Sequence, residues 1–244
     1  MPADIIVYAL VAAGLIFWLR SILGTRHGDE KNRPNPYMAP PENPADVPLE
    51  GLYEELELPA SPEEKVKELS KNPVGGMSVD NKTAEEGLLD IVKADKAFDV
   101  NFFLEGAQEA FAIIVESFGE GDRETLNDLL SEQVYAAFEG AIAEREKNGE
   151  TMETEIHAIK AIEVIEASMD KKTAYVTLRI TADETSVTRD SEGEVIAGHP
   201  DKVTEMRDVW VFARETRSRD PRWLLHETRG DFDGDNETIP NSDE

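Results

Sequence analysis

The chain has 244 residues, with 52 Asp and Glu against 25 Lys and Arg, a formal net charge of -27 at pH 7. A surface this negative repels phosphate backbones and anionic headgroups, which excludes nucleic acid as a direct partner. With no cysteine in the chain, disulfide frameworks and thiolate chemistry are excluded too, which suits a reducing compartment.

Ile5 to Leu19 carries neither charge nor proline, and Ile22 and Leu23 extend the run past Arg20. As a helix, Ile5 to Leu23 would reach about 28 Å, close to a bilayer's hydrocarbon thickness. The Arg20 stem is long enough to bring its head to the interface. Residues 1–24 are therefore predicted to form a transmembrane anchor. A cleaved signal peptide would begin with positive charge and end in small residues. This segment begins with Asp4 and ends in Phe17, Trp18 and Leu19, so it reads as uncleaved. Arg20, Arg26, Lys31 and Arg33 follow the run and no Lys or Arg precedes it. The positive-inside rule then puts the rest of the chain in the cytoplasm, or in the matrix of a mitochondrion.

Residues 25–84 read as a proline-rich tether. Prolines 34, 36, 40, 41, 44, 48, 59 and 62 favour extended, semi-rigid chain. Leu49, Leu52, Tyr53 and Leu56 could make a short amphipathic turn, either a transient linker helix or a docking motif. Ser61-Pro62-Glu63-Glu64 is a helix start, with a cap, a proline at the first turn and acids on the dipole. That helix offers only Val66 and Leu69 as apolar anchors and is expected to be solvated; Pro73 to Gly76 ends it.

The globular part spans residues 85–230. Leu88, Leu89, Ile91 and Val92 suggest a short helix. Phe103, Ala107, Phe111, Ile114 and Phe118 recur at three- and four-residue steps, the face of one long helix ended by Gly119-Glu-Gly121. Two further helices follow, opened by Asp122 and Ser131 and closed by Lys147-Asn148-Gly149. Then the period changes. Thr173 to Ala182 alternates, and Val203 to Arg214 and Arg222 to Thr228 also read as strands. Residues 154–168 repeat isoleucine every third position, which imitates a helix. Their β-branched content and the following Asp170-Lys171 turn favour a strand with a bulge. Helices first and about four antiparallel strands afterwards make an α+β domain, with helices packed on one face of the sheet. Along the third strand Val209 and Val211 face one way, Trp210 and Phe212 the other.

Taken in order, FFLEGAQEAFAIIVESFGEGD (102–122), LNDLLSEQVYAAFEGAI (126–142), Trp210-Val-Phe212-Ala-Arg214 and Asp220-Pro-Arg-Trp223-Leu-Leu225 resemble the Tim44-like family, in particular its bacterial, TimA-type members. The resemblance covers residues 85–230 and the layout of one anchor and a tether. It implies a cone-shaped fold of the nuclear-transport-factor-two type, with an apolar pocket between sheet and helices. It also implies a tethered role at the inner membrane, here a bacterial inner membrane crossed once, with the domain in the cytoplasm. The mitochondrial relative links an import channel to a heat-shock chaperone and contacts cardiolipin. The acidity of this chain argues against electrostatic cardiolipin binding.

For catalysis the candidates are His157, Asp208 and His226, since an enzyme needs a tuned acid or base in a dry pocket. Asp208 shares strand parity with Met206, Trp210 and Phe212 and could sit at a pocket rim, although a surface or hydrogen-bonded structural role is the commoner fate of such an aspartate. The histidines stand alone, and no H-E-x-x-H spacing occurs. The tail, residues 231–244, starts like a calcium loop, but Asn236 and Ser242 stand where glycine and glutamate are required, so it reads as a disordered acidic end. No catalytic residue, metal or cofactor is expected. The expected pocket is lined by Phe111, Phe118, Met206, Trp210, Phe212 and Trp223. The leading function is an adaptor assisting protein translocation or membrane-complex assembly, with protein partners. A lipid or other apolar small-molecule binding module comes second and a cone-fold enzyme third.

Overall fold

The computed structural model describes residues 60–230. Helix α1, Pro62–Lys71, opens with a capping box: the Glu64 N–H donates to the Ser61 hydroxyl and the Ser61 N–H donates to the Glu64 carboxylate. A short strand β1, Met77–Val79, leads to α2, Lys82–Ala94. The long helix α3, Val100–Glu120, is capped by Asp99 and stops at Gly121, whose φ of 76° is the left-handed conformation of a helix end. Helices α4, Arg123–Leu129, and α5, Glu132–Lys147, complete the helical layer. Five strands follow: β2 Thr151–Asp170, β3 Thr173–Arg189, β4 Val195–Gly198, β5 Thr204–Glu215 and β6 Leu224–Gly230.

The sheet has six strands in the order β1-β2-β3-β5-β6, with β4 also paired to β3. All pairs are antiparallel except β1 with β2. About four strands were expected, and the count is corrected by two short ones. β1 has three residues, too few to show alternation, and β4 is exposed along its whole length, so no apolar pattern marks it.

Strand β2 is the predicted bulged strand, with three register shifts rather than one, at Ile156/Ala158, Ile159/Ala161 and Val164/Glu166. Each bulge inserts a residue and resets the two-residue alternation. Ile156, Ile159 and Ile162 consequently all turn toward the core, three residues apart, while Ile165 does not join them. This is how a strand comes to carry a helix-like period.

The core lies between the inner face of the sheet and the helices. Val176, Leu178 and Ile180 of β3 and Met206, Trp210 and Phe212 of β5 are buried there. Val209 and Val211 take the opposite face, beside Arg179 and Thr177. Helix α2 crosses β2 so closely at Gly87 that a Cβ there would stand 1.8 Å from the Ala167 carbonyl oxygen, so this position admits only glycine.

A second correction concerns α1. It was expected to be solvated, but Val66 and Leu69 are buried in the same core as α2 and α3. Two apolar side chains one helical turn apart are enough to seat a ten-residue helix when the facing surface is already formed. The packed structure therefore reaches back into the stretch read as tether. The anchor over 1–24, the Leu49–Leu58 motif and the tail over 231–244 lie outside the described residues.

Candidate functional site

At one end of the inner face, four aromatic rings meet. Phe103, on the first turn of α3, lies 4.7 Å from Trp223 and 6.1 Å from Phe212, centroid to centroid; Phe98 lies 5.7 Å from Trp223 and 5.8 Å from Phe103. They wall a groove of about 400 Å³, completed by Ala107 and Leu129. The volume falls in the range of small-ligand and side-chain sites. On the rim stands Phe102, 77% exposed.

Local rules position these groups. Asp99 accepts from the N–H groups of Asn101 and Phe102 and so fixes the start of α3. The Lys65 ammonium of α1 also donates to Asp99. Burial pushes the Asp99 carboxyl up; the Lys65 hydrogen bond and the two amides outweigh it and hold it below the ordinary carboxylate value. Under the rings, the Arg214 guanidinium pairs with Asp95, each side chain 14% exposed, and lies 5.1 Å from the Trp223 ring centre. This joins β5 to the turn before α3 and gives the apolar wall a cationic edge.

A second cavity, of about 680 Å³, opens at the other end of the sheet, between the end of α5, the C-terminal half of β3 and the β4–β5 connection. Its lining mixes Ser186 and Thr204 hydroxyls with the buried Glu184 carboxylate and with Arg145. Arg145 Nη2 donates to the carbonyls of Phe118 and Gly119, at 2.7 and 3.0 Å, closing the C-terminus of α3. Burial pulls this guanidinium down from its ordinary value.

The six residues expected to share one pocket fall into three settings. Phe111, Met206 and Trp210 are interior, with Phe111 and Trp210 4.8 Å apart. Phe118 packs on Phe138 and reaches the second cavity. Phe212 and Trp223 line the groove. Phe98, Phe103 and Arg214 belong to the groove as well and were not among the residues expected to line the pocket. The signal for them was present: Arg214 ends the Trp-x-Phe-x-Arg motif, and Phe103 lies on the apolar face of the long helix.

The candidate acid–base residues are not brought together. A His157 ring nitrogen lies 2.6 Å from the Thr185 hydroxyl, Asp208 is buried opposite Ile180, and His226 meets Tyr175 edge to face at 5.4 Å. These three positions on β3 are five residues apart, about 16 Å per step. Among the described residues no three His, Asp or Glu side chains are grouped to hold a metal.

The profile of the Tim44-like domain matches residues 84–230. Similar proteins include the mitochondrial import inner membrane translocase subunit TIM44 of Homo sapiens, 27% identical over 143 residues, covering 57% of this chain and 32% of that protein. The probable subunit tin-44 of Caenorhabditis elegans is 24% identical over 158 residues, covering 63% of this chain and 37% of the relative. The matched part thus spans about a third of these relatives' length. Among solved structures, the intermembrane space region of the chloroplast protein ARC6 aligns with a TM-score of 0.35 at 15% identity, over 55% of this chain and 96% of that one. A likeness this loose carries no argument about the fold.

The names of the relatives correct one expectation. They are subunits of a mitochondrial inner membrane translocase, which overturns the placement as a single-pass protein of a bacterial inner membrane with a cytoplasmic domain. Flanking charge ranks the two sides of a membrane and says nothing about which membrane it is. Among the described residues no helix is long and apolar enough to cross a membrane.

Proposed function

The chain belongs to the Tim44-like domain family, and from that premise we propose that it serves as an adaptor in a protein-translocation apparatus, binding protein partners rather than catalysing a reaction. The observation that carries this reading is the family match itself. It runs from α2 to the end of β6 and so takes in nearly the whole packed unit. The separation of His157, Asp208 and His226 along the sheet supports binding over catalysis. The aromatic groove supplies a surface suited to it.

The test is functional. Depleting the chain should slow translocation of a precursor protein across its membrane, and crosslinking in solubilised membranes should join it to subunits of the translocation channel. Unchanged translocation, with no channel subunit crosslinked, would overturn the reading.

A second reading rests on the groove alone. Its volume of about 400 Å³ and its mainly apolar walls suit a lipid or another apolar small molecule. Native mass spectrometry of the full chain, with and without added lipid, distinguishes the two. A stoichiometric adduct lost on Trp223→Ala would favour this reading.

A further inference from the structure

The end of β5 and the loop that leads to β6 depart from the charge of the molecule as a whole. Arg214, Arg217, Arg219 and Arg222 stand against Glu215 and Asp220 within nine residues, in a chain of net charge -27. Arg222 is held by Asp220 at 2.8 Å and lies 3.7 Å from Asp128. Arg217 and Arg219 are exposed, and neither makes an ion pair with a described residue. Pro221 and Arg222 of the same loop form one wall of the aromatic groove, and the exposed Phe102 stands on its rim.

We propose that the groove and this arginine loop together form a docking surface for an acidic amphipathic helix, whose Leu or aromatic anchors enter between Phe102, Phe103 and Trp223 while its carboxylates meet Arg217 and Arg219. The inference deepens the adaptor reading and rests on it only in taking the partner to be a protein. Three features direct the choice of occupant. The walls are apolar and concave, which suits anchors at i, i+3, i+4 and i+7 of a helix. Phe102 is a large apolar side chain left in water, and covering it is favourable in proportion to the area removed. Among the described residues a local excess of cations borders this apolar surface, so charge complementarity selects a partner with acids beside its anchors. An anionic membrane would offer similar chemistry over a wide plane, but there the acidic remainder of the molecule would be repelled. A short helix engages the arginines alone.

The experiment uses the full chain and a displayed library of random peptides about four helical turns long. The expected outcome is enrichment of acidic amphipathic sequences. Their binding to the full chain, followed by fluorescence anisotropy of a labelled synthetic copy, should weaken about tenfold or more in R217E/R219E and in Phe102→Ala, and also on raising salt for the unsubstituted chain. Both variants change exposed positions, and circular dichroism confirms that they fold. Enrichment of basic or uncharged peptides overturns the proposal, as does binding indifferent to both variants. Sedimentation with vesicles containing anionic lipid, lost in R217E/R219E, would assign the surface to a membrane and also overturn it. Each of these failures leaves the adaptor reading intact, since that reading is decided by translocation and crosslinking.

Discussion

At Phe212 the inner face of β5 enters the aromatic groove; eight residues earlier, at Thr204, the same strand borders the second cavity. That separation is about 26 Å, and the two ends rest on opposite chemistry. Around Phe212 the walls are rings, with one paired guanidinium beneath them. Around Thr204 they mix Phe118 and Met152 with hydroxyls, a carboxylate and an arginine already committed to two carbonyls. An apolar wall gains when a partner removes it from water, whereas a polar wall must replace each bond it gives up. The aromatic end therefore gains the most from being covered, and at the other end Arg145 holds the C-terminus of α3.

Stability measurements can break this comparison. The largest loss is expected for Trp210→Ala, because the indole is fully buried against Phe111 and Phe212. About 3–5 kcal/mol is expected from denaturant unfolding, the lost transfer energy plus the cavity left behind. Next comes Arg145→Ala, at about 2 kcal/mol, since two helix-end carbonyls lose a charged donor. If Arg145→Ala costs more than Trp210→Ala, the polar end holds the fold and the comparison fails.

The sequence displayed those elements whose pattern repeats. Phe103, Ala107, Phe111, Ile114 and Phe118 trace the buried stripe of α3, and the alternation of Ala174, Val176, Leu178 and Ile180 marks β3. Elements made by contact with something already folded stayed hidden. Val66 and Leu69 look like too little to hold a helix, and Met77–Val79 gains its strand character only from the edge of β2, at Ile162 to Val164. The groove was half legible for the same reason. Phe212 and Trp223 stand in motifs, but their meeting with Phe98 and Phe103 depends on how α3 crosses the sheet. Arg145 had no signature at all, since its role as a cap is set by a turn of chain 26 residues away.

Asp99 sharpens the aromatic end. Asp99→Ala removes the cap of α3 and should cost about 1 kcal/mol at neutral pH. Its folded value is depressed, so its contribution is complete above the ordinary carboxylate value of 3.8 and is lost as pH falls through the lower folded value. The difference between the unsubstituted chain and Asp99→Ala should hold from neutral pH down to about pH 4 and narrow below it. A difference that grows on acidification would mean that burial outweighs these hydrogen bonds and raises the folded value instead.

The smallest stability effect is expected at Phe102, and it distinguishes a docking surface from a core. Its ring is 77% exposed and stands at the mouth of the groove, whereas the neighbouring Phe103 is buried. Phe102→Ala removes little that the folded state shields from water, so unfolding should shift by no more than about half a kcal/mol, while Phe103→Ala should cost several times that. Both side chains sit on the first turn of α3, so helix propensity and cap effects largely cancel between the two variants. If Phe102→Ala destabilises as much as Phe103→Ala, the ring is part of the fold and the groove closes over it in solution. If the loss is near zero, Phe102 is an apolar side chain held in water without benefit to the monomer, as a side chain that serves a partner would be.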